Sequence, residues 1–61
     1  MNDILNVGDL VEDNDPYKAP EQSMGHGIIV EVLDTDYVVV HWSTYGEYSA
    51  INILYLKKVK L

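Results

Sequence analysis

The segment Gly25 to Trp42 (GHGIIVEVLDTDYVVVHW) constrains the fold more than any other part of the chain. Two runs dense in Val, Ile, Tyr and Trp flank the short acidic turn Leu33-Asp34-Thr35-Asp36, with glycines in front and Gly46 shortly after. β-Branched and aromatic side chains at this density suit a pleated sheet. The segment predicts two strands, His26 to Asp34 and Asp36 to Trp42. In the first, Ile28, Val30 and Val32 share one face, and Ile29, Glu31 and Leu33 the other. In the second, Val38, Val40 and Trp42 oppose Tyr37, Val39 and His41. Apolar residues on both faces predict burial on both sides over part of this hairpin. The turn lacks the Asn-Gly signature that fixes a two-residue hairpin, so the sequence leaves its register open.

The flanking segments supply three more strands. Val7 to Asp13 (VGDLVED) is the first, with Gly8 marking a turn or bulge at its start. Asn14 to Met24 (NDPYKAPEQSM) is a loop, because its two prolines cannot sit in a central strand and Asn14, Asp15 and Ser23 favour turns. Ser43 to Glu47 is a second turn, closed by Gly46, and Tyr48 to Ile53 is the fourth strand. Asn52 is a candidate cap for one helical or 3-10 turn over 52–56. Leu56 to Leu61 alternates apolar residues with Lys57, Lys58 and Lys60, and lysines blunt an exposed sheet edge. The pattern predicts an all-β fold in one domain spanning 1–61: a small five-stranded barrel or strongly bent sheet, with one 3-10 turn before the last strand.

With 61 residues and no cysteine, the core rests on apolar packing alone; a chain of this size buries only about 60% of its unfolded surface. Neither a disulfide nor a thiolate zinc site is available, and two histidines without suitably spaced carboxylates do not make a metal site. No metal and no cofactor are expected. No apolar run approaches the roughly 20 residues that cross a bilayer, and no secretory pattern is present. These features predict no membrane partner and a cytoplasmic location.

The charge is lopsided. Residues 1–36 carry nine acids and one lysine, while residues 37–61 carry Glu47 against Lys57, Lys58 and Lys60, and the net charge is −6. Such a surface repels phosphate at long range. Nucleic-acid modules show the opposite balance, so nucleic acid is not the expected partner.

The order VGDLVED, loop, GHGIIVEV, YVVVHW, glycine turn, SAINILYLKKV resembles the SH3-like small-barrel superfamily, which includes KOW and Tudor modules. It is most similar to short SH3-like proteins of tailed bacteriophages, in Val7, Gly8, Asp9, Val11, Gly27, Ile29, Val32, Val38, Val40, Trp42, Gly46, Ser49, Leu56 and Val59. The resemblance implies a five-stranded SH3-like barrel and, through the phage proteins, a viral accessory protein acting in a host cytoplasm. Nearly all these positions are core or turn, so they imply fold far more than function. The basic loops of a KOW module are absent.

Candidate binding residues fall in two groups. Tyr17, Tyr37, Tyr45 and Tyr48 lie in or beside loops. In Tudor-like barrels such aromatics cage a methylated ammonium by cation–π attraction, and here Tyr37, Tyr45 and Tyr48 would do so with Glu47 or Asp36 adding charge. The competing reading has Trp42 in the core and the tyrosines covering the barrel with their hydroxyls in water. Glu12, Asp13 and Asp15 cluster where the first strand enters the loop, and Asp34 and Asp36 occupy a turn. They form either an electrostatic lure for a basic partner or a solvated face. His26 and His41 read as structural, because no nucleophile or acid is spaced to complete a catalytic set with them.

The sequence therefore predicts a non-enzymatic protein-interaction module for a partner with a basic surface. Its binding edge is formed by loop 14–24 and turn 43–48, with Glu12, Asp13, Asp15, Tyr17, Asp36, Tyr37, Tyr45, Glu47 and Tyr48 facing the partner. The alternatives are a structural subunit of a virion or assembly that associates with copies of itself, a small non-catalytic subunit of an enzyme, and a KOW- or Tudor-type module.

Overall fold

The computed structural model describes residues 5–59. Five antiparallel strands form one sheet in the order β4-β3-β2-β1-β5. They are β1 (Leu10–Asp13), β2 (His26–Val32), β3 (Tyr37–Trp42), β4 (Glu47–Asn52) and β5 (Leu56–Lys58). The fold is all-β, as the strand pattern requires, with no α-helix among the described residues.

The 3-10 turn before the last strand is present at Ile53–Tyr55. Asn52 caps it, its side-chain oxygen accepting from the Leu54 N–H at 2.9 Å. A second 3-10 turn, Pro20–Gln22, lies inside the long loop. β1 begins three residues later than the sequence suggests. Asn6 and Asp9 close a tight turn there, the Asn6 N–H donating to Asp9 Oδ2 at 2.8 Å, and Gly8 crosses it at φ 94° with its N–H on the Ile29 carbonyl.

A single sheet encloses a core only by curling. Val11 from β1, Ile29 from β2, Val38, Val40 and Trp42 from β3 and Leu56 from β5 form one buried cluster, with Leu5, Met24, Ile51 and Ile53 packed against it. The molecule measures 27 × 25 × 24 Å, whereas a flat sheet with its side chains is only about 10 Å thick. β4 and β5 do not pair, so the curl stays open along that seam.

Two expectations for the central hairpin are corrected. First, Val30 is an extra residue: Ile29 pairs with Val40, but Glu31 pairs with Val39 and Val32 with Val38. This bulge breaks the alternation, placing Glu31 on the outer face with Val39 and returning Val32 to the inner side. Second, burial is one-sided. Gly27, Ile29, Val38, Val40 and Trp42 are buried, while Ile28 and Val30 remain 46% and 40% exposed. No other layer of the described chain covers the outer face of β2 and β3.

Candidate functional site

Antiparallel pairing sets which loops meet. The last residue of β1, the first of β2, the last of β3 and the first of β4 lie at one end of the sheet, as the pairs Glu12–His26, Gly27–Trp42 and Trp42–Glu47 require. Loop 14–25 and turn 43–46 therefore emerge side by side. The Ser43 N–H and Oγ both donate to the His26 carbonyl, at 3.3 and 3.1 Å. A β-carbon at Gly25 would lie 3.0 Å from Thr44 Oγ1. The two segments assigned to the binding edge are thus adjacent.

Asp13 organises the loop. Its Oδ2 accepts from Lys18 Nζ at 3.0 Å and from the Met24 N–H at 2.9 Å, and its Oδ1 accepts from the Asp15 N–H at 3.3 Å. One carboxylate so gathers both ends of an eleven-residue span, while Met24 packs against the core. Further in, Asp15 Oδ1 accepts from the Tyr17 N–H at 2.9 Å and Gln22 Oε1 from the Ala19 N–H at 3.0 Å. The Asp13 side chain is only 2% exposed. It therefore anchors the loop from within and, unlike the exposed partner-facing role the sequence suggests, offers almost no side-chain surface for contact.

Burial is the largest single influence on the Asp13 carboxyl and pushes its pKa up. The Met24 N–H, the Lys18 ammonium and the Asp15 N–H together outweigh burial, so the carboxyl sits below its ordinary value. A carboxyl depressed in the folded state stabilises the fold above the unfolded-chain value of about 3.9 and loses that contribution as pH falls through the lower folded value. Asp13→Asn is expected to cost about 1–2 kcal/mol at neutral pH, because it replaces charge-assisted bonds with an amide that must turn a donor toward other donors. Urea titrations at pH 7 and pH 3 should show the gap between the two proteins narrowing in acid. An equal gap at both pH values would mean that the charge of Asp13 contributes nothing.

The remaining assigned residues divide by end. Tyr17 projects from the loop at 87% exposure, Tyr45 sits at the tip of turn 43–46, and Tyr48 lies on the outer face of β4, where its ring tilts against His41 with centroids 4.7 Å apart. Glu47 is exposed beside them, and Asp15 is half-buried within its turn. Glu12 stands across from Lys57 and 3.4 Å from His26 Nε2.

Asp36 and Tyr37 lie at the opposite end, because Tyr37 opens β3 and pairs with Asn52. Tyr37 and Trp42 are five residues apart on an extended strand, roughly 17 Å. A cage of Tyr37, Tyr45 and Tyr48 is therefore not assembled. Asp34 serves its own turn, its Oδ1 accepting from the Asp36 and Tyr37 N–H groups at 2.8 and 2.9 Å, and the Asp36 carbonyl accepts from the Ile53 N–H.

The sequence did not single out the His41–Tyr48 contact, which depends on the register that turn 43–46 imposes. Among the described residues no hydrogen bond joins a hydroxyl to an imidazole, and no three His, Asp or Glu side chains gather as metal ligands. No helix among them is long and apolar enough to cross a membrane. The chain matches no protein-family model, no curated protein and no solved structure.

Proposed function

We propose that the protein is a non-catalytic interaction module that docks through the edge formed by loop 14–25 and turn 43–48 on a protein with a basic surface. The observation that carries this reading is the placing of three exposed tyrosines at one acidic end of the sheet: Tyr17 on a loop held in shape by its own hydrogen bonds, Tyr45 on turn 43–46 and Tyr48 near the start of β4. Tyrosine offers a rigid apolar body and a hydroxyl at small entropic cost, which suits a binding surface. A loop already ordered adds little further cost on docking.

Charge favours the same kind of partner. Lys18 is bound to Asp13, Lys58 lies 3.5 Å from Asp9, and Lys57 stands opposite Glu12. Glu21, Glu31, Asp34, Asp36 and Glu47 take part in no ion pair among the described residues. The field that remains is negative and steers basic partners toward the molecule. Within this proposal the chain is an SH3-like accessory protein of a tailed phage, working in a host cytoplasm on a host or virion protein. The strand order and the capped 3-10 turn before β5 support the SH3-like part of that reading.

The test is a tagged pull-down from bacterial lysate at low and moderate salt, read by mass spectrometry, with the wild type beside a Tyr17→Ala/Tyr45→Ala/Tyr48→Ala variant. One stoichiometric partner is expected, weakened roughly a hundredfold or more in the variant if two of the three tyrosines act as hot spots. Circular dichroism should show the variant folded, since all three rings are exposed. Capture indifferent to both the substitutions and salt would remove this edge from consideration.

A further inference from the structure

The sheet ends in two unlike edges. β5 is three residues long and carries Lys57 and Lys58, and brevity with lysines is how exposed edges are commonly protected. β4 is six residues long, holds no lysine and no proline, and pairs with β3 in unbroken register. Its one charge, Glu47, stands at its first position. Among the described residues nothing pairs with its other side.

The register identifies the backbone groups on that side. The Ile53 N–H donates to the Asp36 carbonyl at 2.9 Å, which makes those two a hydrogen-bonded pair. Bonded and non-bonded pairs alternate along an antiparallel ladder. Residues 47, 49 and 51 therefore bond to β3. Tyr48 and Ala50 turn both their N–H and C=O groups outward, and Asn52 turns its N–H outward while its carbonyl closes the first bond of the 3-10 turn.

We propose that β4 pairs antiparallel with β4 of a second copy of this chain, across a two-fold axis at Ala50, joining the two sheets into one. The strand is complementary to itself in this register. Ala50 meets Ala50 of the second copy, and Tyr48 meets Asn52 of the second copy in both directions. These three pairs are the outward-facing ones, and their free groups form about four N–H···O bonds, two between the Ala50 residues and one from each Asn52 N–H to a Tyr48 carbonyl.

Charge permits the joint. Glu47 falls opposite Ile53 of the second copy, and the two Glu47 carboxylates stand about 20 Å apart along the strands, beyond the screening length of about 8 Å. The outer-face row of Val39 and Ala50 continues across the axis into the same residues of the second copy. A single pair of six-residue strands buries less than the roughly 1,200 Å² of a standard interface, so the dimer depends on concentration. This surface is backbone at the free edge of β4 and does not rest on the tyrosine edge proposed above.

Sedimentation equilibrium from about 10 µM to about 1 mM is expected to show a reversible monomer–dimer transition. Amide shifts that change with concentration should centre on Tyr48, Ala50 and Asn52. Ala50→Pro removes an N–H that bonds to nothing in the monomer, and proline is accepted at such an edge position. Ala50→Lys sets two ammonium groups against each other on the axis while lowering the net negative charge, so a loss of dimer there does not come from general repulsion. Each variant should weaken association at least about tenfold. If Ala50→Pro fails to fold, Ala50→Lys and the wild-type amide map decide. A wild type that stays monomeric throughout, a dimer that persists in the folded variants, or concentration-dependent shifts centred elsewhere would each overturn the proposal. Shifts at these three amides that arise only with an added extended peptide would assign the edge to a foreign strand instead.

Discussion

Trp42→Ala is expected to unfold most of the protein at 25 °C. Trp42 is the largest fully buried side chain, at 0% exposure, in a cluster whose other fully buried members are Val and Ile. It closes β3, faces Gly27 across one ladder and Glu47 across the other, and so fills the end of the curl from which the loops emerge. Truncating a buried Trp costs about 3–5 kcal/mol, because lost transfer energy and an unfilled cavity add together. At about 0.05–0.15 kcal/mol per residue, a domain of this length has roughly 3–9 kcal/mol in all. No disulfide compensates. Urea titration followed by far-UV circular dichroism should find no folded baseline, or a midpoint near zero denaturant. A cooperative transition within about 1 kcal/mol of the wild type would mean that the core collapses around the hole far more completely than such cores do.

Trp42 was legible as core because β3 keeps strict alternation, with Val38, Val40 and Trp42 on one side and no bulge within the strand. β2 was less legible for a physical reason. Its bulge at Val30 carries no glycine, so nothing in the residue types announces that the alternation breaks, and only the pairing with β3 reveals it. The turn after it was recognisable from its two aspartates, but not that Asp34 closes it with two side-chain hydrogen bonds in place of an Asn-Gly pair.

The candidate site shows the same division. The adjacency of loop 14–25 and turn 43–46 follows from antiparallel order and was within reach of the sequence. Asp13 was not. An acid beside Glu12 and Asp15 reads as solvated charge until the chain is seen to return eleven residues later and offer the Met24 N–H. Tyr37 was grouped with Tyr45 and Tyr48 because all three flank strands. Which end of a strand a residue flanks depends on register, and that separates Tyr37 from the other two.

Gly27→Ala is expected to be the most damaging substitution at any glycine of this chain. The difficulty at Gly27 is room, since its backbone does not occupy the left-handed region. A β-carbon there would lie 2.5 Å from Val40 Cγ1, 2.8 Å from the His41 carbonyl oxygen and 2.9 Å from Trp42 Cε3. A valine methyl can rotate away and an indole can tilt slightly. The carbonyl belongs to the β2–β3 ladder and moves only if the strands part. Overpacking of this kind costs typically 1–3 kcal/mol and occasionally more, and contact with backbone places Gly27→Ala at the upper end, about 3 kcal/mol. Gly46 offers the contrasting case: φ is 66° and nothing lies within 4 Å of its missing β-carbon. Alanine there costs only the strain of the left-handed conformation, about 1–2 kcal/mol. Thermal unfolding of both variants should rank Gly27→Ala well below Gly46→Ala. The reverse order would mean that β2 and β3 separate easily at this point, and that Gly27 does not hold the indole of Trp42 against the sheet.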